Sequence, residues 1–294
     1  MEAAARVAAA APDVIALQGI DWDAEGRALK AFADLIAAQG HEMPHRLALR
    51  PNRGLPLDPA RPGGIQHGWA RFAGQGGMAL LSRHPLGAPT DLSGFLWRDL
   101  PNARSAGADG APLLAGPWAD LRLSTTGHWI VPVEAPGGTL AVLMHHATPP
   151  VFDGPEDRNG RRAADEAALW ARLLDGRLAA PSPEGPLVLL VLANLDPLDG
   201  DGPREGIAEL LAHPRLTDPR PRGGGADVAD AGHLGDPALD TADWPDPPGG
   251  PGNLRVSYVL PSRDLGVRAA ALSWPPEAAA SRHAVVWADL VLPP

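Results

Sequence analysis

Three polar residues stand at the ends of predicted strands and could act on one charged ligand: His146, Asn194 and His283. An imidazole can accept or donate a proton near neutral pH, which suits acid or base chemistry. Loops at strand ends carry function more often than the strands themselves. A lone histidine in such a place is more often structural, but two histidines and an asparagine at three strand ends favour a functional site. We take these three residues as candidate catalytic residues.

The segment EDRNGRR, residues 156–162, contains the residue types that hold phosphate groups. A guanidinium group is planar and can donate two parallel hydrogen bonds to a phosphate. The candidate substrate-binding residues are Arg158, Asn159 and Arg162. Ion pairs with neighbouring carboxylates at a helix start explain the same residues equally well, and the sequence leaves both interpretations open.

The stretch LANLDPLDGDG begins at the end of the apolar run 187–192. It contains three aspartates, Asp196, Asp199 and Asp201. They resemble a cation-binding loop, but they lack the twelve-residue spacing and the closing glutamate of an EF-hand. The spacing therefore predicts a solvated turn. A rearranged cation site at these aspartates is the alternative.

The string HEMPH, residues 41–45, matches the zinc motif H-E-x-x-H. That motif requires both histidines on one face of a continuous helix. Gly40 precedes the string and Pro44 lies inside it, so such a helix is not expected. We predict a loop.

The chain of 294 residues is 45% apolar and carries a formal net charge of -10, which is typical of a soluble globular protein. Its length fits a single domain over residues 1–294. The negative charge argues against a broad electrostatic surface for duplex nucleic acid, so any such contact would be local. The absence of cysteine excludes disulfides, thiolate metal sites and cysteine nucleophiles.

No apolar run approaches the roughly 18 residues of a membrane helix, so no membrane span is expected. Glu2 stands where a signal peptide carries positive charge, and Arg6 interrupts the apolar region, so we expect no signal peptide in this chain. Localisation and oligomeric state stay undetermined by the sequence.

Hydrophobic periodicity predicts four helices, at 2–10, 25–39, 162–174 and 205–211. The predicted strands are 14–17, 77–82, 121–123, 129–133, 139–144, 187–192, 254–260, 267–273 and 284–290. Residues 40–76 and 214–252 show no clear period. Many strands with few helices favour two packed sheets with helices outside.

Six segments, taken in order, resemble motifs of the endonuclease/exonuclease/phosphatase family. They are PDVIALQGID, GMALLSRHPL, MHHATPPVFDGPEDRNGRR, LANLDPLDGDG, LRVSYVLPS and SRHAVVWADL. The resemblance covers residues 12–290, and six motifs in order are much more specific than any one of them. It implies an α+β fold of the DNase I type, a four-layer α/β/β/α sandwich in which outer helices cover two packed mixed sheets.

Members of this family are metal-dependent phosphoesterases, so the resemblance implies Mg²⁺ or Mn²⁺ as the cofactor. A hard cation prefers oxygen ligands, and phosphoryl transfer depends on positioning and charge neutralisation. The partners implied by the resemblance are a phosphate-containing small molecule or a nucleic acid. In the family, the histidines and the asparagine act beside the metal-binding acids.

Four acid positions of the family carry other residues in this chain: Gly19, Leu192, Ser257 and Arg282. The resemblance places the family's first strand, which carries an asparagine, ahead of the helix at Glu2, and we expect that strand to be absent from this chain. We therefore expect a phosphoesterase-like protein that does not hold its metal tightly and whose hydrolysis is impaired. A non-catalytic module that binds phosphate or another anion on the same fold is the alternative.

Overall fold

The computed structural model describes residues 2–61, 63–224, 232–274 and 281–293. The helices in these ranges are α1 (Glu2–Ala10), α2 (Arg27–Ala37), α3 (Arg158–Leu174) and α4 (Arg204–Leu211). The strands are β1 (Val14–Ile20), β2 (His45–Leu47), β3 (Gly77–Ser82), β4 (Thr90–Asp91), β5 (His128–Ala135), β6 (Gly138–His146), β7 (Leu187–Leu192), β8 (Ala242–Asp243), β9 (Asn253–Leu254), β10 (Ser257–Pro261), β11 (Gly266–Ser273) and β12 (Val285–Val291). Part of the predicted irregular segment 214–252, residues 225–231, lies outside the described residues.

The largest sheet has five strands in the order β10-β7-β6-β5-β4. Strands β5 and β6 form a hairpin, and β10 pairs antiparallel with β7. Strands β6 and β7 are parallel, because α3 carries the chain back from the end of β6 to the start of β7. The five-stranded sheet is therefore mixed.

The opposite layer consists of two smaller sheets, one with the order β1-β3-β2 and one formed by β11 and β12. Met78 and Leu80 of β3 pack against Trp129 and Val142 of the five-stranded sheet, and Val286 of β12 packs on the same cluster. Strand β3 is buried along its whole length, as its unbroken apolar sequence GMALLS predicts for a strand covered on both faces.

Helices cover the outer face of each layer. Ala4, Val7, Leu29 and Ile36 of α1 and α2 pack on the β1-β3-β2 sheet. Helices α3 and α4 contribute Leu169, Trp170, Ile207 and Leu210 to the core on the other side of the five-stranded sheet. The order is helices, sheets, sheet, helices, so the predicted four-layer α/β/β/α arrangement is confirmed. Among the described helices, none is long and apolar enough to cross a membrane.

Two strand predictions need correction. Residues 121–123 do not form a strand, because their backbone bonds with the irregular segment 95–97 instead of a sheet. The predicted strand 254–260 is divided between β9 and β10. The hydroxyl of Thr241 accepts the amides of Val256 and Ser257, so these amides are not available to a neighbouring strand.

The start of helix α3 and the presence of strand β2 also differ from the prediction. Helix α3 begins four residues earlier than predicted, at Arg158, because the Asp153 carboxylate accepts the otherwise free amide of Asn159 in its first turn. Strand β2 was not predicted, and its three residues are too few to show a period. The segment HEMPH contains no helix, as predicted; the His41 ring contacts the carbonyl of Pro12 at 2.9 Å.

Candidate functional site

Three neighbouring strands place a row of side chains where the strands end, at one end of the five-stranded sheet. His146 of β6 is in register with Leu192 of β7, which is in register with Ser257 of β10. Residues in register on neighbouring strands point to the same face. Because alternate residues share a face and Met144 packs towards the opposite layer, the row faces β1 and β12.

Asn194 follows β7 and ties the ends of two strands together. Its φ is 54°, in the left-handed region that asparagine tolerates better than most residues. Its side-chain amide donates to the carbonyl of Ala147 at 2.8 Å, just beyond the end of β6. The carboxamide therefore lies just beyond the ends of β6 and β7, and a catalytic role for Asn194 stays a prediction.

His283 stands just before β12. The ring meets Trp244 edge-on, with 5.4 Å between ring centroids. The flanking backbone is fixed by hydrogen bonds from Asp243 to the carbonyl of Arg282 and from Ala284 to the carbonyl of Thr241. Burial lowers the pKa of His283 to about 4, so the ring is neutral at neutral pH.

His283 and Arg53 both lie close enough to His146 to act on its charge. Burial, followed by the positive charge of Arg53 and the neighbouring ring of His283, lowers the pKa of His146 to about 3. Arg53 is held by a hydrogen bond of 3.1 Å from its Nε to the carbonyl of Gln75. Burial also lowers the pKa of the Arg53 guanidinium, but it stays a cation at neutral pH. We use the term cleft for the end of the sheets where His146, Asn194, His283 and Arg53 stand.

Arg53 was missed by sequence reasoning. It lies in the segment 40–76, which has no hydrophobic period, and the motif set offers no counterpart for it. Gln18 of β1 was missed as well; its Nε2 donates to the carbonyl of His145 over 3.4 Å.

Two buried atoms at the cleft have no hydrogen-bond partner among the residues that the structure describes. They are Nδ1 of His146 and Oε1 of Gln18. Buried polar atoms in folded proteins nearly always have a partner, either in the protein or in bound water or ligand. These atoms therefore leave hydrogen-bonding capacity at this end of the sheets.

The residues at the family's acid positions do not fit a divalent cation. Leu192 is 7% exposed and packs with Ala242 and Val256. Gly19, with φ 79°, lies at an irregularity in the pairing of β1 with β3 and brings no ligand atom from a side chain. Within the described ranges, no three His, Asp or Glu side chains converge as metal ligands would. A hard cation prefers several oxygen ligands, which this row does not supply.

The solvated turn predicted for the aspartates after β7 is wrong for two of them. The Asp196 carboxylate is buried and accepts the amides of Leu198, Asp199 and Arg255. Asp199 accepts the amides of Leu234 and Gly235. Carboxylates after a strand commonly bond to nearby turn amides in this way. Only Asp201 is exposed as predicted.

The candidate phosphate-binding residues of α3 make contacts within the protein. Arg162 is buried and donates to the backbone carbonyls of Leu123, His67 and Arg122. The guanidinium of Arg158 lies 4.2 Å from the ring centre of Trp118, and Asn159 donates to the carbonyl of Val151. These contacts agree with the structural interpretation that the sequence left open. Substrate binding by these residues stays a prediction.

The chain matches the model of the Endonuclease/Exonuclease/phosphatase family over residues 2–283. Among curated proteins, no match is found.

Solved structures show the same fold at low sequence identity. An endonuclease/exonuclease/phosphatase from Beutenbergia cavernae is 22% identical with a TM-score of 0.61; the match covers 99% of this chain and 65% of that chain. A family protein from Leptotrichia buccalis is 13% identical with a TM-score of 0.53, covering 99% and 91%. The human nocturnin catalytic domain, solved with a bound sulfate anion, is 14% identical with a TM-score of 0.51, covering 97% and 83%.

Proposed function

The chain belongs to the endonuclease/exonuclease/phosphatase family, and we propose that it is a single domain that binds a phosphate group in the cleft while its phosphoester hydrolysis is strongly impaired. The ligand is a phosphate-containing small molecule or a local segment of nucleic acid. The observation that carries this proposal is the unpartnered Nδ1 of His146 beside the Arg53 guanidinium.

The cleft offers the groups that an anion needs. Arg53 supplies a positive charge and a planar set of N–H donors. A neutral imidazole carries one N–H donor and one acceptor nitrogen, so His146 and His283 can each donate one hydrogen bond to a phosphate oxygen. Their ring tautomers can adjust to the ligand, because Nδ1 of His146 is not committed to a protein partner.

The row at the strand ends lacks the carboxylates that would activate water, and the nearby Asp21 carboxylate acts on the charge of Arg53. In the row His146, Leu192 and Ser257, no side chain is a carboxylate. A histidine whose pKa lies near 3 or 4 is a weak base at neutral pH and removes a proton from water inefficiently. The family's Mg²⁺ or Mn²⁺ would supply that activation, but the residues present do not fit it. Binding without efficient hydrolysis follows.

Calorimetry with inorganic phosphate tests the binding. We expect phosphate to bind the wild-type chain and the affinity to fall about tenfold in Arg53→Ala, because a charge-assisted hydrogen bond is lost. Arg46→Ala, at an exposed arginine of β2, is the matched control and should bind as the wild type does. Equal binding by wild type and Arg53→Ala would contradict the proposed site.

A hydrolysis assay tests the impairment. Bis-p-nitrophenyl phosphate and p-nitrophenyl phosphate are incubated with Mg²⁺ or Mn²⁺ and either the wild type or the triple variant Gly19→Glu, Leu192→Asp, Ser257→Asp. We expect cation-dependent hydrolysis to rise in the triple variant. Wild-type activity equal to that of an active family member and abolished by a chelator would refute the impairment.

A further inference from the structure

Two large aromatic side chains project into solvent from one short turn. Trp69 is 70% exposed and Phe72 is 51% exposed. Scattered exposed apolar residues are normal, but aromatic rings gain most from burial, so two on one turn are unusual. We call residues 66–76 the aromatic turn.

The aromatic turn is built to be rigid. The Gln66 side chain both accepts from the amide of Ala70 at 2.8 Å and donates to its carbonyl at 3.1 Å. The side-chain oxygen of Gln75 accepts the amide of Arg71 at 2.8 Å. These bonds fix the backbone on both sides of Phe72 and next to Trp69. The two rings are thus presented on a fixed backbone and do not belong to a loose loop.

The aromatic turn is joined directly to the cleft. Gly54 donates its amide to the carbonyl of Gly68 at 2.8 Å, and Gly74 donates to the carbonyl of Arg53 at 3.2 Å. A Cβ added at Gly54 would lie 2.5 Å from the carbonyl oxygen of Phe72, so the turn closes tightly over this glycine. The two exposed rings therefore project from the same small unit as Arg53, whose charge acts on His146.

Two arginine side chains belong to or lie near the aromatic turn. Arg71 lies between them in the sequence and is exposed. The guanidinium of Arg50 lies 6.0 Å from the ring centre of Trp22, whose amide donates to the carbonyl of Gly74. Exposed aromatic rings beside arginines are the combination that stacks planar bases while attracting the attached phosphates.

We propose that Trp69 and Phe72 form a stacking subsite for a nucleobase whose attached phosphate occupies the cleft. The inference rests on the proposed function, since it places the phosphate at Arg53 and His146. The shared ligand chemistry is a base joined through a sugar to a phosphate, which a free nucleotide or the end of a single strand can provide. The negative net charge of the chain suits such a local contact better than a grip on a long duplex.

The turn suits a base better than an acyl chain. The polar residues Gln66, Arg71 and Gln75 lie in the same turn as the two rings, whereas a membrane-inserting surface needs a continuous apolar patch. A planar base can use a ring face and polar edges together.

Binding of four probes tests the subsite: inorganic phosphate, ribose 5-phosphate, adenosine 5′-monophosphate and a short single-stranded oligodeoxythymidylate. We expect the nucleotide to bind about tenfold more tightly than ribose 5-phosphate, the gain that stacking of one base provides. Trp69→Ala and Phe72→Ala should remove this gain and leave phosphate binding unchanged. Leu35→Ala, an exposed apolar residue on α2, is the control that should keep the gain.

The outcomes separate the inference from the proposed function. Preference for the oligonucleotide over the mononucleotide supports a strand end as the ligand, and the reverse supports a free nucleotide. Binding of phosphate with no gain from the base overturns the subsite and leaves the proposed function standing. Trp69-dependent binding to phosphatidylcholine vesicles without nucleotide binding also overturns it. If none of the four probes binds, the proposed function itself fails.

Discussion

The buried face of α3 and the cleft contain similar polar residues, but their hydrogen bonding differs. Arg162 on α3 donates to three backbone carbonyls, and Glu166 accepts two backbone amides. In the cleft, Nδ1 of His146 and Oε1 of Gln18 have no partner among the described residues. Nε of Arg158 and Nε of Arg161 also lack a partner, so the contrast holds between the cleft and the pair Arg162 and Glu166, and not for the start of α3.

The contrast extends to Arg162 and Arg53, since both are buried or partly buried arginines at the same end of the molecule. Burial lowers the pKa of Arg162 to about 10, and its charge is balanced by Glu166. The charges of Asp21 and Glu166 also act on Arg53, but its side chain makes one hydrogen bond among the described residues, to a carbonyl, which leaves N–H groups for a ligand. The partners of a residue, more than its type, separate the structural region from the functional one.

Arg162→Ala should cause the largest change in stability. The substitution leaves three buried carbonyls without their donor and removes the positive charge near the Glu166 carboxyl. Each buried acceptor left without a hydrogen bond costs roughly 1 to 3 kcal/mol, so the total should reach about 3 to 5 kcal/mol. Urea unfolding measures the loss. The matched control is Arg161→Ala, a half-exposed neighbour paired with Asp157 at 4.0 Å, which should cost under about 1 kcal/mol. Equal losses in the two variants would contradict the structural role of Arg162.

Substitution of Leu192 tests how much an apolar side chain stabilises the cleft and how much a carboxylate there destabilises it. Leu192→Ala removes packing against Ala242 and Val256 and should cost about 2 kcal/mol. Leu192→Asp should cost about 1 kcal/mol more near neutral pH, because a buried carboxylate without a cation is poorly solvated.

The extra cost of Leu192→Asp should disappear on acidification, since burial raises the pKa of a carboxyl and protonation removes its charge. Urea unfolding at neutral and at mildly acidic pH measures this difference. A Leu192→Asp variant as stable as the wild type at neutral pH would show that the row tolerates charge, and the argument against a cation there would weaken.

The sequence predicted the architecture well because long apolar runs and a continuous amphipathic helix dominate it. The prediction gave the correct type and nearly the correct ends for the strands at 77–82 and 187–192. It also gave the correct type and the correct last residue, Leu174, for the helix α3. The short strand β2 and the break after Leu254 were missed, because they depend on distant partners such as the Thr241 hydroxyl.

The site was only partly predictable for the same reason. His146, Asn194 and His283 stand at strand ends, and strand ends can be predicted from hydrophobic patterns. Arg53 belongs to a segment without periodicity, so its approach to His146 depends on tertiary contacts that no local pattern encodes. Asp196 was wrongly predicted to be solvated. It accepts the amide of Arg255, which is 59 residues away in the chain, and no local pattern indicates that contact.

Acidification should destabilise the fold through buried histidines such as His128. Burial lowers the pKa of His128 to about 4 from an ordinary value of 6.5. Between these two values the unfolded chain binds the proton and the folded chain does not, so stability is highest above 6.5 and falls as the pH drops towards 4. The expected slope is about 1 kcal/mol per pH unit for this group.

The measurement for His128 is the free energy of unfolding across this pH range in wild type and His128→Gln. Because the substitution removes the titrating group, the variant should show a shallower slope, whatever its absolute stability. His84→Gln, at a less buried ring, is the control and should keep the wild-type slope. Parallel curves for wild type and His128→Gln would contradict the prediction.

Arg158→Ala should have the smallest effect and tests the boundary between the two regions. The guanidinium of Arg158 is half-buried against Trp118 and lies 3.4 Å from a Glu156 oxygen, so its loss should cost under about 1 kcal/mol. If α3 serves the fold alone, phosphate affinity measured by calorimetry should stay within about twofold of the wild type, in contrast to the tenfold loss expected for Arg53→Ala. A tenfold loss in Arg158→Ala would extend the ligand site from the cleft to the start of α3, because only contact with the bound phosphate accounts for an affinity change that leaves stability nearly unchanged.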